Sequence, residues 1–267
     1  MYDVPRVAAP HEIVGETASG IALAPGTGDN MGAALGVGAL PGDVVVSLGT
    51  SGTAFAVSST PTADASGQVA GFADATGRFL PLVCTLNAAR VFSAAAAMVG
   101  TDIEGATQAA LGAAPGSGGL VLLPYLDGER TPNLPDATGS ILGLTRDAMT
   151  PANLARASIE GMLCGLADAV DALRAQGVVP ARIMLVGGAA ANAAVQEVAT
   201  TVFDLPVVVP PPGEYVADGA ARQAAWAHLG GDEPPAWLLE GEVVREPAPV
   251  PAIREAYADA RRTVHGA

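Results

Sequence analysis

Two apolar runs, Asp43-Val44-Val45-Val46-Ser47-Leu48 and Thr53-Ala54-Phe55-Ala56-Val57, are separated only by Gly49-Thr50-Ser51-Gly52. So short a link joins antiparallel neighbours, because a parallel crossover needs a dozen or more residues. The pair therefore reads as a hairpin whose tip is nearly all backbone. Upstream lies a second glycine-rich turn, Gly26-Thr27-Gly28-Asp29-Asn30, entered from the apolar run Ile21–Ala24 and left through a small-residue helix, Met31–Leu40. A carboxylate at a helix start beside a backbone-rich hairpin offers free N–H groups and one basic oxygen, which is what phosphate handling needs.

Composition removes several classes of chemistry. All 13 basic residues are Arg, so the chain has no Walker A lysine, no Schiff-base lysine and no protein-kinase lysine. A net charge of -14 argues against nucleic acid or an anionic membrane as partner. It also opposes ATP, so a nucleotide site would rely on backbone dipoles and a metal ion; the acidity itself reads most simply as a solubility feature. Only 4% of residues are aromatic, so the core must be built from Ala, Val, Leu and Ile. With 33 Gly and 21 Pro, any single short glycine motif carries little weight. Cys84 and Cys164 form no C-x-x-C and read as small core fillers. His11, His228 and His265 are too far apart for a local zinc motif, and no metal ligand is assigned. Neither G-x-S-x-G nor G-x-G-x-x-G occurs. The N-terminus has no basic and apolar leader pattern, and no run approaches 18 uninterrupted apolar residues, so a cytoplasmic setting is the expectation.

Along the chain, residues 1–20 read as a loop-rich lead-in. Short strands are expected near Gln68–Phe72 and Arg78–Val83, helices over Asn87–Val99 and Ile103–Leu111, and a buried strand at Leu120–Leu123. The charged segment Tyr125-Leu126-Asp127-Gly128-Glu129-Arg130-Thr131-Pro132 is either a solvated surface loop or a binding loop at a strand end. Ser140–Leu144 is extended. Thr150-Pro151 starts a long helix reaching Ala175, with Glu160, Asp168 and Asp171 expected on its polar side. A strand, Arg182–Val186, meets Gly187-Gly188 and a helix, Ala191–Phe203; this is a close approach for a ligand at a helix start or simply a tight turn. Val207–Val209 is a strand, Gly219–Leu229 a helix, 230–251 irregular, and Ala252–His265 a terminal helix. Together these elements predict an α/β fold, a mixed sheet flanked by helices.

Four stretches in this order resemble the C-terminal part of the FGGY carbohydrate kinases, in particular their xylulokinase-like members. Gly26–Asn30 through Gly49–Gly52 resembles the family's catalytic-Asp segment and phosphate hairpin. Tyr125–Pro132 resembles its Y-L-x-G-E-R-x-P loop. The stretch from Gly139 through Gly143-Leu144 and Asn153-Leu154 to Ala157–Glu160 fits the second family signature. Val186-Gly187-Gly188-Ala189 with Asn192 resembles the adenosine segment, followed by Glu214, Ala217 and Gly219-Ala220-Ala221 in the closing helix.

The resemblance implies an actin-like ATPase (ribonuclease H-like) domain. Residues 1–40 are expected to be a lead-in and remnant of a first actin-like domain, and 41–267 the second, nucleotide-binding one, with the N-terminal sugar-binding domain absent. It implies ATP-dependent phosphorylation of a ketopentose, foremost D-xylulose to D-xylulose 5-phosphate, with Mg²⁺ travelling on ATP. Asp29 would be the base and, with Asn30, a sugar contact. Gly49 and Thr50 would meet the phosphates, and Gly188, Ala189 and Asn192 the adenosine. A helix start favours an ionised Asp29, although an ordinary helix cap remains the alternative for that residue. The rival readings are a truncated non-catalytic remnant or nucleotide-binding module, and a sibling kinase for glycerol, gluconate or ribulose. Half a cleft aligns its reactants poorly, so the isolated chain is expected to be inactive or nearly so. A homodimer or a separate N-terminal half is expected to cover the exposed face.

Overall fold

The structure is a computed structural model and describes residues 5–237 and 239–266; the leader reading at Met1–Val4 falls outside them. In chain order the elements are β1 (Gly15–Glu16), β2 (Ala22–Leu23), α1 (Asp29–Gly36), β3 (Asp43–Leu48), β4 (Gly52–Ala56), β5 (Ala70–Ala73) and β6 (Phe79–Thr85). Then come α2 (Ala89–Met98), α3 (Ile103–Leu111), β7 (Val121–Leu123), β8 (Ser140–Leu142), α4 (Pro151–Ala175) and β9 (Arg182–Val186). The chain closes with α5 (Ala193–Val202), β10 (Val207–Val209), α6 (Tyr215–Leu229), β11 (Val243–Arg245) and α7 (Pro251–His265).

Seven strands form one mixed sheet in the order β11-β10-β9-β3-β4-β6-β5. β9 runs parallel to both β3 and β10, and the other pairs are antiparallel. The two-residue period of a strand splits its side chains between two apolar layers. Val44, Val46, Leu48, Ala54, Ala56, Val83, Ile183 and Leu185 face the larger core, which contains buried residues of α2 to α5 and α7. Val45, Phe55, Leu80, Leu82, Met184 and Val186 face the smaller one, which is closed by Ala34 and Val37 at α1 and by Tyr215 of α6. Both faces are covered, as a sheet with a parallel centre requires.

The central helix of the larger layer is α4. Thr150 caps it, its hydroxyl accepting the Asn153 N–H at 3.1 Å, and Pro151 opens it. Glu160 does not lie on a polar side as its spacing suggested: it is only 5% exposed. Helices enclose α4 at this level, and the carboxylate is satisfied inside. It accepts from Arg156 Nε at 2.9 Å, the Gly116 N–H at 2.9 Å and the Ser117 hydroxyl at 2.8 Å. Arg156 is itself buried and also donates to the Ala113 carbonyl. Glu160→Ala strands a buried guanidinium, so a loss of about 3–5 kcal/mol is expected, read as a lower urea midpoint at unchanged slope. A double variant with Leu at both positions should recover much of it. Asp168 and Asp171 do lie on the wetter side, paired to Arg254 of α7 at 2.7 and 2.8 Å.

The loop-rich lead-in has one short pairing, β1 with β2 antiparallel. Three local expectations need correction. Helix α1 begins at Asp29 and ends at Gly36 rather than spanning Met31–Leu40, because the N-cap is Gly28 and Gly38 has φ +70°. α6 starts at Tyr215, four residues early. The stretch 230–251 is not wholly irregular: β11 adds to the exposed side of β10, with Val208 opposite Val244. Its flanking Pro and Glu residues masked a three-residue edge strand whose apolar side chains remain largely exposed.

Candidate functional site

Pairing of β3 with β9 places Ser47 opposite Val186, so the hairpin tip and the Gly187-Gly188 turn leave the sheet side by side. Carboxyl ends of neighbouring parallel strands are where open α/β sheets bind ligands. Approach is close: a Cβ on Gly187 would lie 2.7 Å from the Leu48 carbonyl oxygen, and φ is +91°, so only glycine fits. The tip is fastened through its oxygens. The Gly49 carbonyl accepts from the Ala89 N–H at 3.0 Å and the Thr50 carbonyl from the Ala88 N–H at 3.3 Å.

Beyond these turns lies a cavity of about 540 Å³, lined by Ser47, Val186–Gly188, Ala190, Ala191, Pro210, Pro212–Val216 and Ala33 of α1. Gly188 and Glu214 line it; Ala189 and Asn192 do not. The Asn192 side chain is committed elsewhere. Its oxygen caps α5 by accepting from Ala194 N–H at 3.0 Å and Val195 N–H at 3.2 Å, and its amide donates to the Thr107 hydroxyl at 2.6 Å. Gly49 and Thr50 stand at the neighbouring tip and outside the lining.

A larger cavity, about 670 Å³, surrounds the start of α1. Gly26 to Met31 form one wall, so Asp29 and Asn30 come together as their adjacency demands. Asp29 is the first helical residue and not the cap, which is Gly28. Its Oδ1 accepts the Asn30 N–H at 2.7 Å and the Asn30 side-chain amide at 3.0 Å, whereas Oδ2 accepts no hydrogen bond among the described residues. A carboxylate on a cavity wall, hydrogen-bonded at one oxygen and without a partner at the other, is suited to take a proton. Asp29 and Ala33, which line different cavities, are one helical turn apart, about 6 Å along α1.

The far wall was not foreseen. Cys84 of β6, Phe72 of β5, Gln223 of α6 and Arg130 all line it. Cys84 packs half-buried against the smaller core and also lines this cavity, in contrast to fully buried Cys164. Burial pushes the Cys84 thiol up; Arg130 pulls it down and Asp29 pushes it up to smaller degrees. Gln223 is 3% exposed and makes no side-chain hydrogen bond among the described residues. The loop carrying Arg130 is anchored rather than free. Glu129, buried, accepts from the N–H groups of Leu86 at 2.6 Å and Arg130 at 2.8 Å and from the Asn87 amide at 3.0 Å. Arg90 pairs with Asp127 at 2.5 Å. The charged Glu129-Arg130 pair was the available signal, but without the fold it could not be assigned to a wall.

Residues 44–228 match the model of the FGGY family of carbohydrate kinases, C-terminal domain. The chain belongs to this family. The FGGY domain is 44% identical to a xylulose kinase of Streptomyces coelicolor over 238 residues, covering 86% of this chain and 48% of the relative. It is 42% identical to one of Streptomyces rubiginosus over 253 residues, covering 91% and 50%. The chain therefore spans about half the length of the curated relatives it matches. The crystal structure of xylulose kinase from Bifidobacterium adolescentis superposes with a TM-score of 0.87 at 45% identity, covering 96% of this chain and 53% of that one. The mixed sheet flanked by helices is thus the actin-like fold of FGGY kinases, as the resemblance implied. No helix among the described residues is long and apolar enough to cross a membrane.

Proposed function

We propose that this FGGY domain serves ATP-dependent phosphorylation of a ketopentose, D-xylulose to D-xylulose 5-phosphate. The observation that carries the reading is the Asp29 carboxylate, which lines one cavity, has no hydrogen bond at Oδ2 among the described residues, and stands one helical turn from the wall of a second cavity. Relatives named xylulose kinase, at 42–44% identity, support the sugar. Sugar occupies the Asp29 cavity, with Asn30 in contact. ATP lies along the β3 and β9 turns, its phosphates at Gly49 and Thr50 and its adenosine beside Gly188 and Ala189. Asn192 serves that end indirectly, by fixing the α5 start. Asp29 accepts the hydroxyl proton late in a loose phosphoryl transfer, where alignment matters more than base strength.

Mg²⁺ would travel with ATP and would supply neutralisation of phosphate charge; among the described residues no group of three or more His, Cys, Asp or Glu is placed to hold a metal. The domain reading stands as part of this proposal: 1–40 as lead-in and remnant of a first actin-like domain, 41–267 as the second. A separate N-terminal half or a second copy of the chain is the cover for the open side of the Asp29 cavity.

The test is coupled ADP release with D-xylulose, glycerol, gluconate and ribulose, on the chain alone and with an FGGY N-terminal half supplied. The expected result is trace activity alone and D-xylulose-dependent release when supplemented. Absence of release with every sugar in both preparations would sink the kinase reading and favour a non-catalytic domain.

A further inference from the structure

We propose that Arg130 is the cation that binds the phosphate of the sugar ester formed in the Asp29 cavity. The inference rests on the kinase reading for the identity of the anion, and on the structure for the cation. Of the chain's 13 arginines, only Arg130 and Arg146 make no side-chain hydrogen bond or ion pair among the described residues. Of the two, Arg130 lines the cavity that contains Asp29 and Arg146 does not. Leaving a guanidinium unpaired in a chain of net charge -14 is not forced by any shortage of carboxylates.

Its backbone is fixed with care. Glu129 binds the Arg130 N–H with the same oxygen that binds Leu86 N–H, so the arginine is tied to the end of β6, two residues beyond Cys84. The Asn87 amide spans the Gly128 carbonyl at 2.7 Å and Glu129 at 3.0 Å, and its oxygen accepts the Leu126 N–H at 3.1 Å. The loop is held at several points while the one cation stays uncommitted. Its influence on the Cys84 thiol, alongside that of Asp29, places both charges about the same wall residue.

A neutral sugar has no need of a guanidinium. A phosphate monoester does, because it must share the cavity with a carboxylate that repels it. In the transfer, the bond between the γ-phosphorus and its bridging oxygen breaks, a bond from the sugar oxygen to phosphorus forms, and the hydroxyl proton passes to Asp29. Arg130 makes and breaks no covalent bond; its planar fork takes two phosphoryl oxygens at once.

Cys84 supplies the readout, whether or not the preparation turns over. Of the chain's two thiols, Cys164 is buried and Cys84 lines this cavity. Iodoacetamide alkylation of Cys84 is timed with D-xylulose, D-xylulose 5-phosphate or inorganic phosphate added, each variant being referred to its own ligand-free rate. Expected in the wild type is stronger protection by the ester than by the sugar. Arg130→Gln should raise the ester concentration giving half-protection by about tenfold or more, leaving D-xylulose protection unchanged, while Arg130→Lys retains part of it. Undiminished ester protection in Arg130→Gln, or ester no better than sugar in the wild type, overturns the proposal. If turnover still depends on Asp29 in that case, the kinase reading stands without the arginine; if neither sugar nor ester protects the wild type and no ADP is released, both fall.

Discussion

Asp29→Asn is expected to lower the turnover of the supplemented preparation by about 10²–10⁴-fold, the usual worth of a positioned general base. The substitution is nearly isosteric. Asn retains a side-chain oxygen to accept the Asn30 N–H and amide that Asp29 now holds at 2.7 and 3.0 Å. What it loses is the unbonded second oxygen as a proton acceptor. The KM for D-xylulose should change little, because the contacts of Asn30 and the far wall persist, so the loss belongs to kcat. Stability should fall by no more than about 0.3–1 kcal/mol, since Asp29 is exposed, Gly28 is the cap, and only a favourable charge at the helix start is removed. Steady-state kinetics with a denaturant titration on the same sample separates these effects. An Asn variant with wild-type kcat would remove Asp29 from the chemistry.

How far this could be read from the chain depends on which interactions are local. The β3–β4 hairpin was legible because four residues permit one topology, and its tip lies where the turn chemistry placed it. Asp29 and Asn30 were legible as chain neighbours at a helix start. The α4 stripe was legible because Thr150-Pro151 and a 3.6-residue repeat coincide there. Glu160 was misread because one helix's periodicity does not show how many neighbours surround it; its partners Gly116 and Ser117 lie more than forty residues away. The resemblance sets Asn192 beside the adenosine, but an Asn before a helix is also a good N-cap, and here its oxygen caps α5. Arg130, Cys84 and Gln223 come from three distant segments: the β4–β6 pairing sets Cys84 in the sheet, the α1–α6 crossing sets Gln223 beside α1, and Glu129 ties Arg130 to the end of β6. Their separate sequence contexts are a charged loop, an apolar strand and an Ala-rich helix, none of which marks a shared cavity.

The crossing of α1 and α6 carries the second large effect. Gly219, Gln223 and Trp226 form the buried stripe of α6, at spacings of four and three residues, and Gly32 and Gly36 answer from α1. The two backbones touch: a Cβ on Gly219 would fall on the Gly32 carbonyl, and one on Gly36 would fall on the Tyr215 carbonyl. Arg222 adds a bond from its Nη1 to the Leu35 carbonyl at 2.8 Å, tying the end of α1 to α6. Gly219→Ala must therefore push the helices apart. Ala gains up to about 1 kcal/mol in helix propensity over Gly, but overpacking against rigid backbone costs about 1–3 kcal/mol or more, so a net loss of stability is expected. The functional loss should be larger than the thermodynamic one. Moving α1 shifts Asp29 relative to Gln223 in one cavity and Ala33 relative to Val216 in the other, and a displacement near 1 Å can cost about 10² in rate. Ala221→Gly is the matched control. It lies exposed on the same helix, should cost about 1 kcal/mol by propensity alone, and leaves the crossing untouched. With both variants assayed where each is fully folded, Gly219→Ala should show a kcat reduced by about tenfold to a hundredfold and Ala221→Gly a kcat near wild type. Equal kcat values would mean that the glycine crossing serves stability alone and that the position of Asp29 is set by other contacts.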